Sequence, residues 1–99
     1  MTTSKNIKVI ARSKINVSYS GQVFKIYKSL IKETRKEVGC ISYELFEELE
    51  NPNNLTLIEE WESLEALQNH TKTTHFIDYV GQLSEYESEL PVLIYKKIY

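Results

Sequence analysis

The apolar residues change period repeatedly along this chain, and that change limits the fold more than any other feature of the sequence. In IKVIARSKI, residues 7–15, they alternate: Ile7, Val9, Ala11, Ser13 and Ile15 fall on one side, and Lys8, Ile10, Arg12 and Lys14 on the other. A period of two is that of a strand with one buried face. Over residues 19–38 the spacing becomes three and four, with Val23, Phe24, Tyr27, Leu30, Ile31, Thr34 and Val38 in one stripe, so the sequence predicts a helix. Gly39 follows, suited to the left-handed position that ends one. Alternation then returns in CISYELFEE, 40–48, and in LTLIEEW, 55–61, where Leu55, Leu57, Glu59 and Trp61 share a face. ENPNN between them is rich in turn formers, so the two strands should form an antiparallel hairpin.

Ser63 can cap a second, short helix with Glu65 in its first turn, and Thr73 or Thr74 can cap a further segment carrying Phe76, Tyr79, Val80 and Leu83. Pro91 should open a last strand, PVLIYKKIY. The order βαββ(αα)β, with its helical excursions on one sheet face, gives an α+β sandwich of the ferredoxin-like type. At 99 residues it should be a single domain spanning 1–99, with 1–5 flexible. Helices cover one face of such a sheet, yet Ile10, Phe46 and Ile58 lie on the opposite strand phase. A second apolar face points to a homodimer packed through the sheets.

Composition excludes several classes. A net charge of -2 with scattered basic residues gives no reason to expect nucleic acid. One cysteine, Cys40, rules out an internal disulfide and a thiolate zinc cluster, and reads as a small buried hydrophobe. MTTSKNIKVIAR lacks the apolar core of a signal peptide, and no run approaches membrane-spanning length. A cytoplasmic protein with no membrane contact is expected.

The stretch GCISYELFEELENPNNLTLIEEWESLEALQNHTKTTHF resembles the antibiotic biosynthesis monooxygenase family. The resemblance rests on Gly39-Cys40 after the helix, Tyr43, Glu59 and Trp61, Glu65-Ala66-Leu67, His70, and the pair His75-Phe76; with the first and last strands it covers nearly the whole chain. It implies a dimeric α+β barrel. Members include cofactor-free monooxygenases of quinols and polycyclic phenols, heme-degrading monooxygenases, and isomerases of small sugar phosphates. The heme-degrading branch uses an Asn on the first strand, a Trp ending the third and a His on the following helix. Trp61 matches, but Ser13 and Val80 stand at the other two positions, which disfavours heme degradation.

The two histidines lie five residues apart, whereas neighbours on one helix face are three or four apart, and although Glu59 could in principle join them, nothing in the spacing demands it; no metal is expected. His70 reads as a helix-end residue. His75, at the start of the next segment, is the candidate general base, with a capping or hydrogen-bonding role as the alternative. Trp61, Tyr43, Glu59 and Phe76 are the candidate substrate-binding residues: a flat wall, a phenol donor, a carboxylate on a buried face, and a ring beside His75. Trp61 and Tyr43 could equally be core. A carboxylate at Glu59 must pair or carry a raised pKa. The implied activity is cofactor-independent oxidation of a quinol or polyphenol by molecular oxygen, with no cofactor. The alternatives are an isomerase of a small phosphorylated carbonyl compound and a non-catalytic ligand-binding dimer. A pair of cavity Arg or Lys residues would favour the phosphorylated substrate.

Overall fold

A computed structural model describes residues 5–99; the expected flexibility of 1–5 falls outside them except at Lys5. The elements are β1 (Ile7–Ile15), α1 (Ser20–Thr34), β2 (Cys40–Glu47), β3 (Asn54–Trp61), α2 (Leu64–His70), α3 (Thr74–Leu83), β4 (Glu87–Glu89) and β5 (Leu93–Lys96), with a 3-10 turn at Val17–Tyr19. All strand pairs are antiparallel, in the order β2-β3-β1-β4, with β5 also on β1. This is the ferredoxin-like α+β architecture that the periodicity predicts.

The strand phases come out as read for β1 and β3. Val9, Ser13 and Ile15 are buried, and β3 alternates strictly, with Leu55, Leu57, Glu59 and Trp61 inside. Against this face α1 sets Val23, Tyr27, Leu30 and Thr34, α2 sets Leu67 and His70, and α3 sets Leu83. The capping residues also stand as read: Ser63 Oγ accepts from the Ala66 N–H, and Thr73 Oγ1 from that of Phe76.

Three boundaries differ. The first helix ends at Thr34, and residues 35–39 form tight turns with Lys36 N–H on Glu33 and Glu37 N–H on Thr34. Val38 is therefore 94% exposed and forms no part of the helix stripe. Gly39 does adopt a positive φ of 91°, and a Cβ there would meet Ala66 Cβ at 2.6 Å, so the position demands glycine on two counts. In β2 the register shifts between Cys40 and Ser42, which leaves Tyr43 buried while Ile41 is half-exposed. Finally, the last strand is two strands. β4 pairs with the Ser13–Ile15 end of β1 and β5 with the Ile7–Ile10 end, their registers offset by one residue across Leu90–Val92. Pro91 lies in that break because it has no N–H to give a ladder.

Candidate functional site

A cavity of about 360 Å3 lies between the sheet and the helices. Its sheet side is Val9, Ala11, Ser13, Tyr43, Leu57 and Glu59; its helix side is Tyr27, Leu30, Leu67, His70, Phe76 and Val80; Glu87 and Glu89 of β4 and the following Leu90 and Val92 close one edge. Most of this wall is hydrocarbon or aromatic ring, as in small-molecule sites generally. The charged groups lining it are Glu59, Glu87, Glu89 and one cation, Arg12. Arg12 lies on the exposed phase of β1, opposite Val9 and Ser13.

Glu59 is held by strict alternation of β3, which turns it inward between Leu57 and Trp61. It is 4% exposed, and its Oε1 accepts from Trp61 Nε1 at 2.9 Å. Loss of hydration pushes its carboxyl up to about 7, with the Trp61 hydrogen bond pulling the other way and the Glu37 charge adding a smaller rise. Tyr43 is buried beside it. Burial raises its phenol further above the ordinary value, with the Glu59 charge acting the same way, so it is a proton donor at any working pH. At the other end, the Tyr27 hydroxyl donates to Glu87 Oε2 at 2.8 Å, and burial raises that carboxyl too.

The ring of His70 sits in an aromatic box. Its centroid lies 4.7 Å from Trp61, 4.9 Å from Phe76 and 5.3 Å from Tyr43. It does end α2, but it is 1% exposed, and burial lowers its pKa. A favourable helix-end charge is thus not what holds it there. Its Nδ1 lies 2.6 Å from Glu37 Oε2, and His75 Nε2 lies 2.7 Å from the same oxygen.

The five-residue spacing does not separate the histidines. The chain turns between them: α2 stops at His70, Thr73 N–H and Thr73 Oγ1 both donate to the His70 carbonyl, and Thr73 starts α3. The two rings are 6.2 Å apart as a result. Glu37, which in the sequence looks like one more charge on a solvated helix, is the third member of a group whose ligand atoms lie within 4.8 Å of one another. Only the early end of α1 brings it there.

Of the residues singled out from sequence, Glu59, Tyr43 and Phe76 line the cavity. Trp61 is fully buried and not among the lining residues; it donates to Glu59 and packs on the His70 ring. His75 is not among the lining residues, whereas His70 is. Cys40 is partly buried, and burial raises its thiol to about 11, so it is no nucleophile at neutral pH.

Residues 6–82 match the model of the family described as Antibiotic biosynthesis monooxygenase. The chain belongs to this family. Its relatives include YcnE of Bacillus subtilis, 33% identical over 58 residues, which cover 59% of this chain and 61% of YcnE. Rv0793 of Mycobacterium tuberculosis is 32% identical over 79 residues, 80% of this chain and 77% of that protein. A crystal structure of a conserved protein from Methanosarcina mazei Go1 superimposes with a TM-score of 0.90 at 36% identity, covering 95% of this chain and 94% of the other. The match therefore spans about three fifths of the length of YcnE. Both named bacterial relatives carry a monooxygenase name without a stated substrate. Among the described residues, no helix is long and apolar enough to cross a membrane.

Proposed function

We propose that the chain is a monooxygenase that oxidises a quinol or polyphenol with molecular oxygen, and that Glu59 is the group that takes the phenolic proton. The observation that carries this is a carboxylate in an apolar cavity, tied through one oxygen to Trp61 and raised to about 7. A base near the working pH with a buried, oriented lone pair is what proton removal from a phenol requires. His70 is the weaker candidate, because burial moves its pKa the other way. His75, the base suggested by sequence, is spent on Glu37 away from the cavity wall.

In the proposed sequence the substrate hydroxyl gives its proton to Glu59, and Tyr43 donates a hydrogen bond to the developing oxyanion. The phenolate passes one electron to O2, giving a phenoxyl radical and superoxide. These recombine to a ring peroxide, which takes its proton back from Glu59. Loss of water then leaves the quinone, with one oxygen atom of O2 in the product and one in the water. Phe76 and His70, set edge to face at 70°, form an aromatic corner in which a planar ring can lie.

The charges support a neutral substrate over a phosphorylated one. Three carboxyl groups and a single arginine line the space, with no lysine among them. A phosphate would meet net repulsion at close range. Oxygen uptake on adding a reduced hydroquinone, lost in Glu59→Gln, is the result expected; turnover of a phosphorylated ketose without oxygen would replace this reading with the isomerase.

The same proposal includes a homodimer. Ile10 and Ile58 on the uncovered sheet face are only partly buried, Phe46 is 47% exposed, and Leu93, Ile94 and Tyr95 of β5 are exposed in a row. Light scattering should give twice the chain mass of 11.6 kDa, and Ile58→Lys should split or unfold the pair, since an unpaired charge in such a seam costs several kcal/mol. A stable monomer at micromolar concentration would remove it.

A further inference from the structure

We infer that Glu37, His70 and His75 form a binding site for one divalent ion of the zinc class, adjoining the substrate cavity through His70 alone. The three donors come from three segments: the turn after α1, the last residue of α2 and the first turn of α3. Two ring nitrogens, His70 Nδ1 and His75 Nε2, aim at one point, which Glu37 Oε2 now occupies at 2.6 and 2.7 Å. As a hydrogen-bonded set this needs a proton on each of those nitrogens. With the protons released, the same atoms present two imidazole lone pairs and one carboxylate oxygen to a common centre, a donor set that suits zinc-class ions.

The three donor atoms lie within 4.8 Å of one another, against the roughly 3.0–3.4 Å that bonds near 2.0–2.1 Å set between neighbouring ligand atoms. An ion at the point where both nitrogens aim would take the place of Glu37 Oε2, which must draw back by about one such bond length. Its side chain lies on a surface turn and is 13% exposed, so rotation about its own bonds supplies that shift. His70 is fixed by Trp61, Phe76 and Tyr43, and supplies the rigid half of the site. His75, with 22% of its side chain exposed, faces the side from which an ion and a water ligand would enter.

Neither Glu37 nor His75 lines the cavity. The ion would sit behind the His70 ring and bridge the turn after α1 to the junction of α2 and α3. Its effect would be to hold these segments together. The inference stands whether or not the chain oxidises quinols.

Tag-free full-length protein, stripped by a chelator, would be titrated with Co2+ and followed by visible absorption, then by displacement with Zn2+. Expected are saturable d–d bands at one ion per chain, no thiolate charge-transfer band, and a melting temperature raised by several degrees on adding Zn2+. Glu37→Gln and His75→Gln, both at partly exposed side chains and checked for fold by circular dichroism, should each weaken Co2+ binding at least about tenfold. Absence of saturable binding in the wild type, unchanged affinity in either variant, or a charge-transfer band implicating Cys40 would each overturn the site.

Discussion

Replacing Glu59 by Gln should lower activity and raise stability at the same time, and the pairing is what makes the substitution informative. The glutamine keeps the shape and the carbonyl that accepts from Trp61 Nε1, so the strand and the indole stay in place. It removes the ability to take a proton. A general base accounts for about 10^2–10^4 in rate, so oxygen uptake with a hydroquinone should fall by at least a hundredfold. The stability side follows from linkage. The folded carboxyl is raised to about 7 from an ordinary 4.5, so between those values the folded state holds a proton that the unfolded state has lost. Its contribution is fully present below about pH 4.5 and is lost as the pH rises through 7. A shift of this size corresponds to about 3 kcal/mol, a large share of a small domain's stability. Urea unfolding from pH 5 to 8 should therefore show the wild type weakening steeply, while Glu59→Gln weakens much less and is the more stable protein at pH 8. The rate of the wild type should climb about tenfold from pH 6 to 8 as the carboxylate forms. A variant that keeps full activity, or that is no more stable than wild type at pH 8, would refute both the buried charge and its role.

Other expectations follow from the same geometry. Tyr43→Phe removes one donor to the substrate oxygen and should slow turnover by about tenfold, read as kcat/KM by oxygen electrode, with the melting temperature nearly unchanged. His75→Ala should leave quinol oxidation within about threefold of wild type, because its ring is not on the cavity wall; a hundredfold loss would return the base to His75. Gly39→Ala should destabilise the chain by about 2–4 kcal/mol in urea, since alanine meets both a positive φ and Ala66 at 2.6 Å.

Local chemistry wrote the element types into the sequence. Alternation in 7–15 and 55–61 fixed which side of β1 and β3 is inside, because a strand has only two faces and one had to be covered by helices. The same alternation turns Glu59 inward beside Trp61, and a carboxylate so placed must pair or hold its proton more tightly. The capping residues Ser63 and Thr73 were equally legible, as their bonds span three residues. The split of the last strand was half legible: Pro91 announced a boundary, but pairing with β1 decided that strand lay on both sides of it.

The histidine group was decided by tertiary structure alone. A cap at Thr73 marks a helix start between the two histidines, but it does not give the direction in which the chain leaves α2, and that direction brings the rings to 6.2 Å. Nor does the stripe of α1 reveal where it stops. Val38 has the right spacing to extend it, yet the i+4 bonds give way to i+3 bonds at Thr34, and that early end carries Glu37 across to both rings. A contact between residues 33 and 38 positions apart depends on how three segments meet, and periodicity reports only on faces within one.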